Sequence, residues 1–192
     1  MTNGGGTSPR ERLLAAVIQV VGVRGYARAS AVETARAAGL SRATFYRHFR
    51  SKRECFVAAC DSALGGLLDG TEQTAARSRD WSSRVREVLR VLLERLAGDP
   101  QLARSCVVEL PAAGADGYRV QDRAVDRLAA ILTPRPGEGG APLPRSTLAQ
   151  LLGGGVWELV HATIVRGSPA DLPGLLPGLH EWIVGHGVGR GG

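Results

Sequence analysis

Serine followed three residues later by glutamate occurs three times in the first 54 residues: Ser8 to Glu11, Ser30 to Glu33 and Ser51 to Glu54. This is the capping-box pattern, in which the hydroxyl takes an orphan backbone N–H and the carboxylate reaches back to the cap. A chain punctuated this way is committed to short helices at its N-terminal end. Pro9 suits the first helical position. Leu13, Leu14, Val17, Ile18 and Val21 recur at helical spacing and predict a first helix closed by Gly25 in a left-handed conformation. The second box opens a helix to about Ala38, closed by Gly39. Ser41 caps a third helix, to about Phe49. The third box opens a longer fourth helix with Phe56, Ala59, Cys60, Ala63, Leu64, Leu67 and Leu68 as its buried stripe.

The remainder keeps the helical period. Stripes fall at Val85, Val88, Leu89, Leu92, Leu93 and Leu96, at Ala124, Val125, Leu128, Ile131 and Leu132, and at Leu148, Leu151, Leu152, Val156, Leu159, Val160 and Ile164. Asp99-Pro100 has the form of a cap and a first-turn proline. Ser168-Pro169 restarts the chain before Leu172, Leu175, Leu176, Leu179 and Ile183, and Pro173 and Pro177 blur where that last helix begins. Residues 133–144 are rich in Pro and Gly and predict an exposed, mobile loop. No strand-like alternation and no internal repeat is present. The expectation is an all-α chain: a three-helix unit over 8–54, a helical body over 55–186, and flexible tails at 1–7 and 187–192.

Charge is unevenly placed. Of 24 bases and 18 acids, the first 54 residues hold ten bases and three acids, while the remaining 138 hold fourteen and fifteen. A basic module on a neutral body points to a polyanionic partner. No apolar run approaches ~20 residues, so no membrane span is expected. The glycine-rich start lacks the form of a signal peptide. Cys55, Cys60 and Cys106 make no disulfide framework, and a cytoplasmic protein is expected. His48, His161, His180 and His186 show no metal-ligand spacing. Nucleophile elbows, phosphate-binding glycine loops and zinc-protease motifs are absent. No metal, cofactor or enzymatic activity is expected.

Two short helices joined by Ala38-Gly39-Leu40-Ser41 form a helix-turn-helix pattern. The second helix is narrow enough for the major groove, and the first braces it across the backbone. Leu40, Phe45 and Phe49 can pin it to a core. Its other side chains suit DNA. Ser41 offers a hydroxyl and a helix N-terminus to phosphate. Arg42 and Arg47 can reach a phosphate or a guanine edge, Ala43 admits a thymine methyl, and Thr44 can bond or touch. Tyr46 and His48 present polar tips to phosphate, and Lys52 stands at the N-terminus of the fourth helix.

The run Gly39-Leu40-Ser41-Arg42-Ala43-Thr44-Phe45-Tyr46-Arg47-His48-Phe49, followed by Ser51-Lys52, resembles the signature of the TetR (tetracycline-repressor-like) regulators over about residues 10–60. The resemblance implies a DNA-contact role for Ser41, Arg42, Thr44, Tyr46, His48 and Lys52, with Arg47 beside them. It also implies a helical body that dimerises and binds a small molecule. Thr34 departs from the pattern, which usually has a buried aliphatic residue there. That departure predicts a looser or rotated brace helix.

The two last helices are apolar on more than one face, and Gly153-Gly154-Gly155 would cost roughly 1 kcal/mol each in an isolated helix. Close backbone approach at an interface would explain them, which makes Leu152, Val156, Leu159, Leu175, Leu179 and Ile183 the expected dimer contacts. The other reading places these apolar faces in the intrachain core, with the glycines marking a helix start or kink. Two recognition helices about 34–36 Å apart, or a multiple of that, read a palindromic operator in duplex DNA. A small-molecule effector favouring another spacing would release them. Arg104, Cys106, Glu109, Trp157, Glu158 and His161 are the distinctive side chains of the body and the candidate effector contacts, each with a plain structural role as the competing reading. A helical carrier or enzyme whose basic end only docks a partner is the reading of a different class. A mobility-shift assay with DNA flanking the coding region separates it from a repressor.

Overall fold

The computed structural model describes residues 7–138 and 143–187, and among them no strand is present. The helices are α1 (Pro9–Arg24), α2 (Ala31–Ala37), α3 (Arg42–His48), α4 (Lys52–Arg77), α5 (Trp81–Gly98), α6 (Pro100–Ala103), α7 (Ala115–Leu132), α8 (Arg145–Arg166) and α9 (Leu176–Gly187). Between α6 and α7 the chain winds as a π-helical stretch, Arg104–Glu109, and a 3-10 stretch, Leu110–Ala113. A further 3-10 stretch, Pro169–Leu175, precedes α9, with Pro173 inside it. The flexible tails expected at 1–7 and 187–192 lie outside the described residues except for Thr7 and Gly187.

Capping explains the helix starts. At Ser8 both bonds of the box form, the hydroxyl accepting from the Glu11 N–H and the Glu11 carboxylate from the Ser8 N–H. At Ser51 only half forms: Glu54 reaches past its cap to accept from the Arg50 N–H at 2.7 Å. Gly25 ends α1 at φ 79°, ψ 152°, a region open to glycine alone.

One apolar cluster runs from Leu13 of α1 to Ile183 of α9. α4 packs on α1, α5 and α7, and α8 on α7. α8 has the length and apolar composition of a membrane span, at mean hydropathy 1.3 over its best window. It buries Leu148, Leu152, Val156, Val160 and Ile164 within the bundle.

The expected dimer contacts need correction. Leu152, Val156, Leu179 and Ile183 are at most 5% exposed within one protomer. They supply the intrachain stripe of their helices, and of the four only Leu179 also reaches the outer surface. Leu159 stands exposed and Leu175 half-buried. With Gly155, Glu158, Gly174, Gly178, Leu179 and Trp182 they line an outer groove of about 580 Å³. The glycine triplet divides the same way. A Cβ on Gly153 would lie 2.7 Å from that of Ala129 and 2.8 Å from the Val125 carbonyl, so this glycine seats α8 on α7. Gly155 faces the outer groove, and a Cβ there would meet nothing.

The loop after α7 is pinned over its described part. Thr133 is buried, and its hydroxyl donates to the Ala129 carbonyl. The Trp81 indole N–H donates to the Leu132 carbonyl at 2.8 Å. Arg84, 2% exposed, gives two hydrogen bonds of 2.8 and 2.5 Å to the Glu138 carboxylate. A buried guanidinium without an anion would cost several kcal/mol, so this pair fixes the loop stem. Hydrogen bonds from Arg84 hold the Glu138 pKa at about 2, against the opposing effect of desolvation. The folded value lies below the ordinary 4.5. The stabilisation is therefore complete above that value and is lost as pH falls through the folded pKa. Thermal melting across pH checks this: Glu138→Gln is expected to lower Tm at neutral pH and to flatten the acid-induced fall below pH 4.5.

Candidate nucleic-acid interface

The brace helix α2 begins at Ser30, whose hydroxyl accepts from the Glu33 N–H and donates to the Glu33 carboxylate. Thr34 is fully buried, and its hydroxyl donates to the Ser30 carbonyl at 2.9 Å. The polar atom that departs from the resembled pattern is thus satisfied inside its own helix. Gly39 turns the chain at φ 64°, where a side chain is strained, and the Leu40 N–H closes back on the Ala35 carbonyl. Arg12 of α1 donates from Nη2 to the Ala38 carbonyl and, at 3.4 Å, to that of Gly39. A cation thus sits where the helix dipole is negative and bare carbonyls need donors.

The recognition helix α3 is seven residues long, and its orientation is set by two rings. Phe45 is fully buried and Phe49 is 3% exposed. Arg42, Ala43, Tyr46 and Arg47 face outward, and Thr44 and His48 are half-buried at the edges of that face. Ser41 caps the helix: its hydroxyl accepts from the Thr44 N–H and shares a 2.9 Å hydrogen bond with the Thr44 hydroxyl. The Arg42 guanidinium lies 5.6 Å from the Tyr46 ring centroid. Arg10 of α1 lies over Phe49 from the other side.

Lys52 behaves differently from the exposed set. It is half-buried, with its ammonium 2.6 Å from the Tyr26 carbonyl and 4.1 Å from the Tyr26 ring centroid. Burial lowers its pKa from the ordinary 10.5. The Tyr26 ring packs on Phe56 at 5.1 Å. The Tyr26 N–H donates to Glu109 at 2.8 Å, from the end of the π-helical stretch. Sequence reasoning missed Arg12 and Tyr26 as parts of this interface and gave Glu109 to the effector. These contacts join residues far apart in the chain and carry no local signal.

The body holds a small void of about 20 Å³, bordered by Leu64, Leu68, Leu96, Val107, Leu128 and Trp157 among other apolar side chains. Of the six candidate effector contacts, Trp157 alone borders it. Cys106 lies buried against Cys60, whose thiol burial and the Cys106 hydrogen bond push far upward in pKa. Glu158 is exposed at the outer groove, and His161 is half-buried on α8. Arg104 pairs with Glu109 at 3.5 Å. The other five thus take structural or surface positions, and of them Glu109 reaches the N-terminal unit through the Tyr26 N–H.

Residues 13–59 match the bacterial regulatory proteins of the tetR family. Over this segment the chain is similar to that family. The match begins in α1, ends in α4 and contains the whole helix-turn-helix. Over 92 residues the chain is 32% identical to the HTH-type transcriptional activator FasR of Mycolicibacterium smegmatis, covering 48% of this chain and 42% of that protein. Over 96 residues it is 30% identical to the nucleoid occlusion factor SlmA of Vibrio atlanticus, covering 50% and 49%. The chain thus spans less than half the length of these curated relatives. The fatty acid degradation regulator FadR of Bacillus halodurans has the same fold, at TM-score 0.82 and 20% identity over 95% of this chain and 96% of that one. FadR of Bacillus subtilis, solved in complex with stearoyl-CoA, superposes at TM-score 0.79 and 21% identity over 92% and 98%. This likeness is one of fold, and it runs through the body to α9.

Arg12→Ala strips the turn carbonyls of their donor while leaving α3 and its outward side chains untouched. It is expected to weaken duplex binding roughly tenfold, about the worth of one lost charge-assisted hydrogen bond. Fluorescence anisotropy with labelled duplex, beside a melting curve showing a folded chain, checks it.

Proposed function

We propose that this protein is a dimeric transcriptional repressor of the tetR type that binds a palindromic operator and is released by a small molecule with an apolar chain. The observation that carries the reading is the outer face of α3. Arg42, Ala43, Tyr46 and Arg47 stand exposed on a helix locked by Phe45 and Phe49, within the segment that holds the chain's excess positive charge. Such a face can enter the major groove, with arginines for guanine edges and polar tips for phosphate. The protein acts in this reading as a cytoplasmic regulator without catalysis.

Dimerisation is supported by the outer groove on α8 and α9. Leu159 and Trp182 are each 45% exposed there, beside glycines that leave room for a facing helix. A second copy supplies a matching face, giving a four-helix interface related by a two-fold axis.

The effector class follows from the void. Its lining is entirely apolar, so the part of a ligand that enters is hydrocarbon. At about 20 Å³ it has room for little more than one water molecule, so entry of a hydrocarbon chain must part α4, α7 and α8. That displacement gives a ligand different affinities for the two states, which release requires. The complex of Bacillus subtilis FadR with stearoyl-CoA and that of Thermus thermophilus FadR with lauroyl-CoA make acyl-CoA the first probe to try.

A mobility shift with duplex from the region flanking the coding sequence tests the reading. Affinity is expected to fall steeply with salt, since each neutralised phosphate releases counterions. Arg42→Ala or Arg47→Ala should alter base preference, whereas Tyr46→Phe should weaken all sequences alike. Stearoyl-CoA is expected to dissociate the complex. Binding that ignores both salt and these substitutions would refute the assignment. Leu159→Glu places a charge in the outer groove and is expected to give a monomer by light scattering, with operator affinity reduced at least tenfold through loss of the second reading head.

A further inference from the structure

Lys52 is the only lysine of the chain, where 23 of the 24 basic residues are arginine. An arginine could offer five donors to phosphate at the same place. Its surroundings instead suit a compact ammonium: the Tyr26 carbonyl at 2.6 Å, the Tyr26 ring face at 4.1 Å, and a half-buried stem. An ammonium has three donors, so the bond to Tyr26 orients the group and leaves others for an anion in front of α4.

Tyr26 is itself held from behind. Its N–H donates to Glu109 Oε2 at 2.8 Å, and its ring packs on Phe56. The peptide before Tyr26 is thus tied to the π-helical stretch, and the peptide after it to Lys52. The Glu109 side chain is 16% exposed, and its one ion pair, with Arg104, is long at 3.5 Å. Gly25 brings the backbone close: a Cβ there would lie 3.5 Å from the Glu109 carboxylate oxygens. Val107, two residues before Glu109, borders the apolar void.

We propose that Glu109 is a positioning residue for DNA binding, holding the Tyr26 backbone so that Lys52 is pre-oriented toward a phosphate. The inference rests on the DNA-binding reading and adds to it a residue outside the helix-turn-helix, on the stretch that also borders the void. Orientation of the cation before contact lowers the ordering cost of making it. The carboxylate acts as acceptor for one N–H, so glutamine, which keeps an acceptor oxygen at the same reach, preserves the function.

The test is a double-mutant cycle on duplex affinity, with Glu109→Ala and Lys52→Met made singly and together in the full-length protein. Glu109→Ala is expected to weaken binding roughly three- to tenfold, a coupling in the range found for contacting residues. In the Lys52→Met background the same change is expected to do nothing further. Glu109→Gln is expected to restore wild-type affinity, and the salt slope should drop by about one phosphate in Glu109→Ala and in Lys52→Met alike. The sole lysine provides a second readout free of DNA. Acylation of Lys52 by an amine-reactive ester, read on its peptide by mass spectrometry, is expected to accelerate in Glu109→Ala and not in Glu109→Gln. An equal loss in both backgrounds identifies Glu109 as a general stabiliser and overturns the proposal, as does the absence of any loss or an unchanged Lys52 reactivity. A wild-type chain without salt-sensitive duplex affinity overturns the DNA-binding reading itself.

Discussion

Burial of Phe45 and Phe49 is the constraint on which the reading face depends. A helix of seven residues has too few internal hydrogen bonds to outweigh its nucleation cost in water. α3 persists because two rings on one side are removed from solvent and a capped serine closes its start. Fixing that side fixes the other, and the exposed arginines and Tyr46 acquire a direction they would lack on a free peptide. The Arg12 contact with the Ala38 and Gly39 carbonyls completes the frame by holding the turn from α1.

The N-terminal unit is fastened to the rest at specific points. The buried Ser105 hydroxyl donates to the Ile18 carbonyl at 2.7 Å, linking the π-helical stretch to the middle of α1. Gly22 lets α1 approach so closely that a Cβ would lie 2.6 Å from the Gln101 backbone. Glu109 ties the same stretch to the turn after α1. A shift of residues 104–109 is therefore transmitted to α1 and to the Tyr26 turn together, because packed helices move as bodies and do not deform smoothly.

The long-range ion pairs follow a separate logic. Arg123 with Asp61, and Arg127 with Asp69 and Glu72, stitch α7 to α4 along their exposed sides. Each such pair contributes little in water. Their spacing along both helices sets register more than it adds stability. Arg84 with Glu138 is of another kind, since its guanidinium is buried and depends on that one carboxylate.

Helix starts and stops were legible in the sequence because capping acts over three or four residues, which the serine, glutamate and glycine pattern records directly. The outward set on α3 was legible for the same reason: once Phe45 and Phe49 are taken as inward, the helical period assigns the rest. How Thr34 is accommodated was not legible, because its acceptor, the Ser30 carbonyl, is a backbone atom that side-chain patterns do not show. The α8–α9 contacts were misassigned because both helices are apolar on two faces, and periodicity does not say which face meets the chain's own core. What only the tertiary structure decided were the bonds between distant residues: Arg12 to Ala38 across 26 positions, Arg84 to Glu138 across 54, and Tyr26 to Glu109 across 83. No local propensity encodes such pairings, since they exist only after packing has brought the elements together.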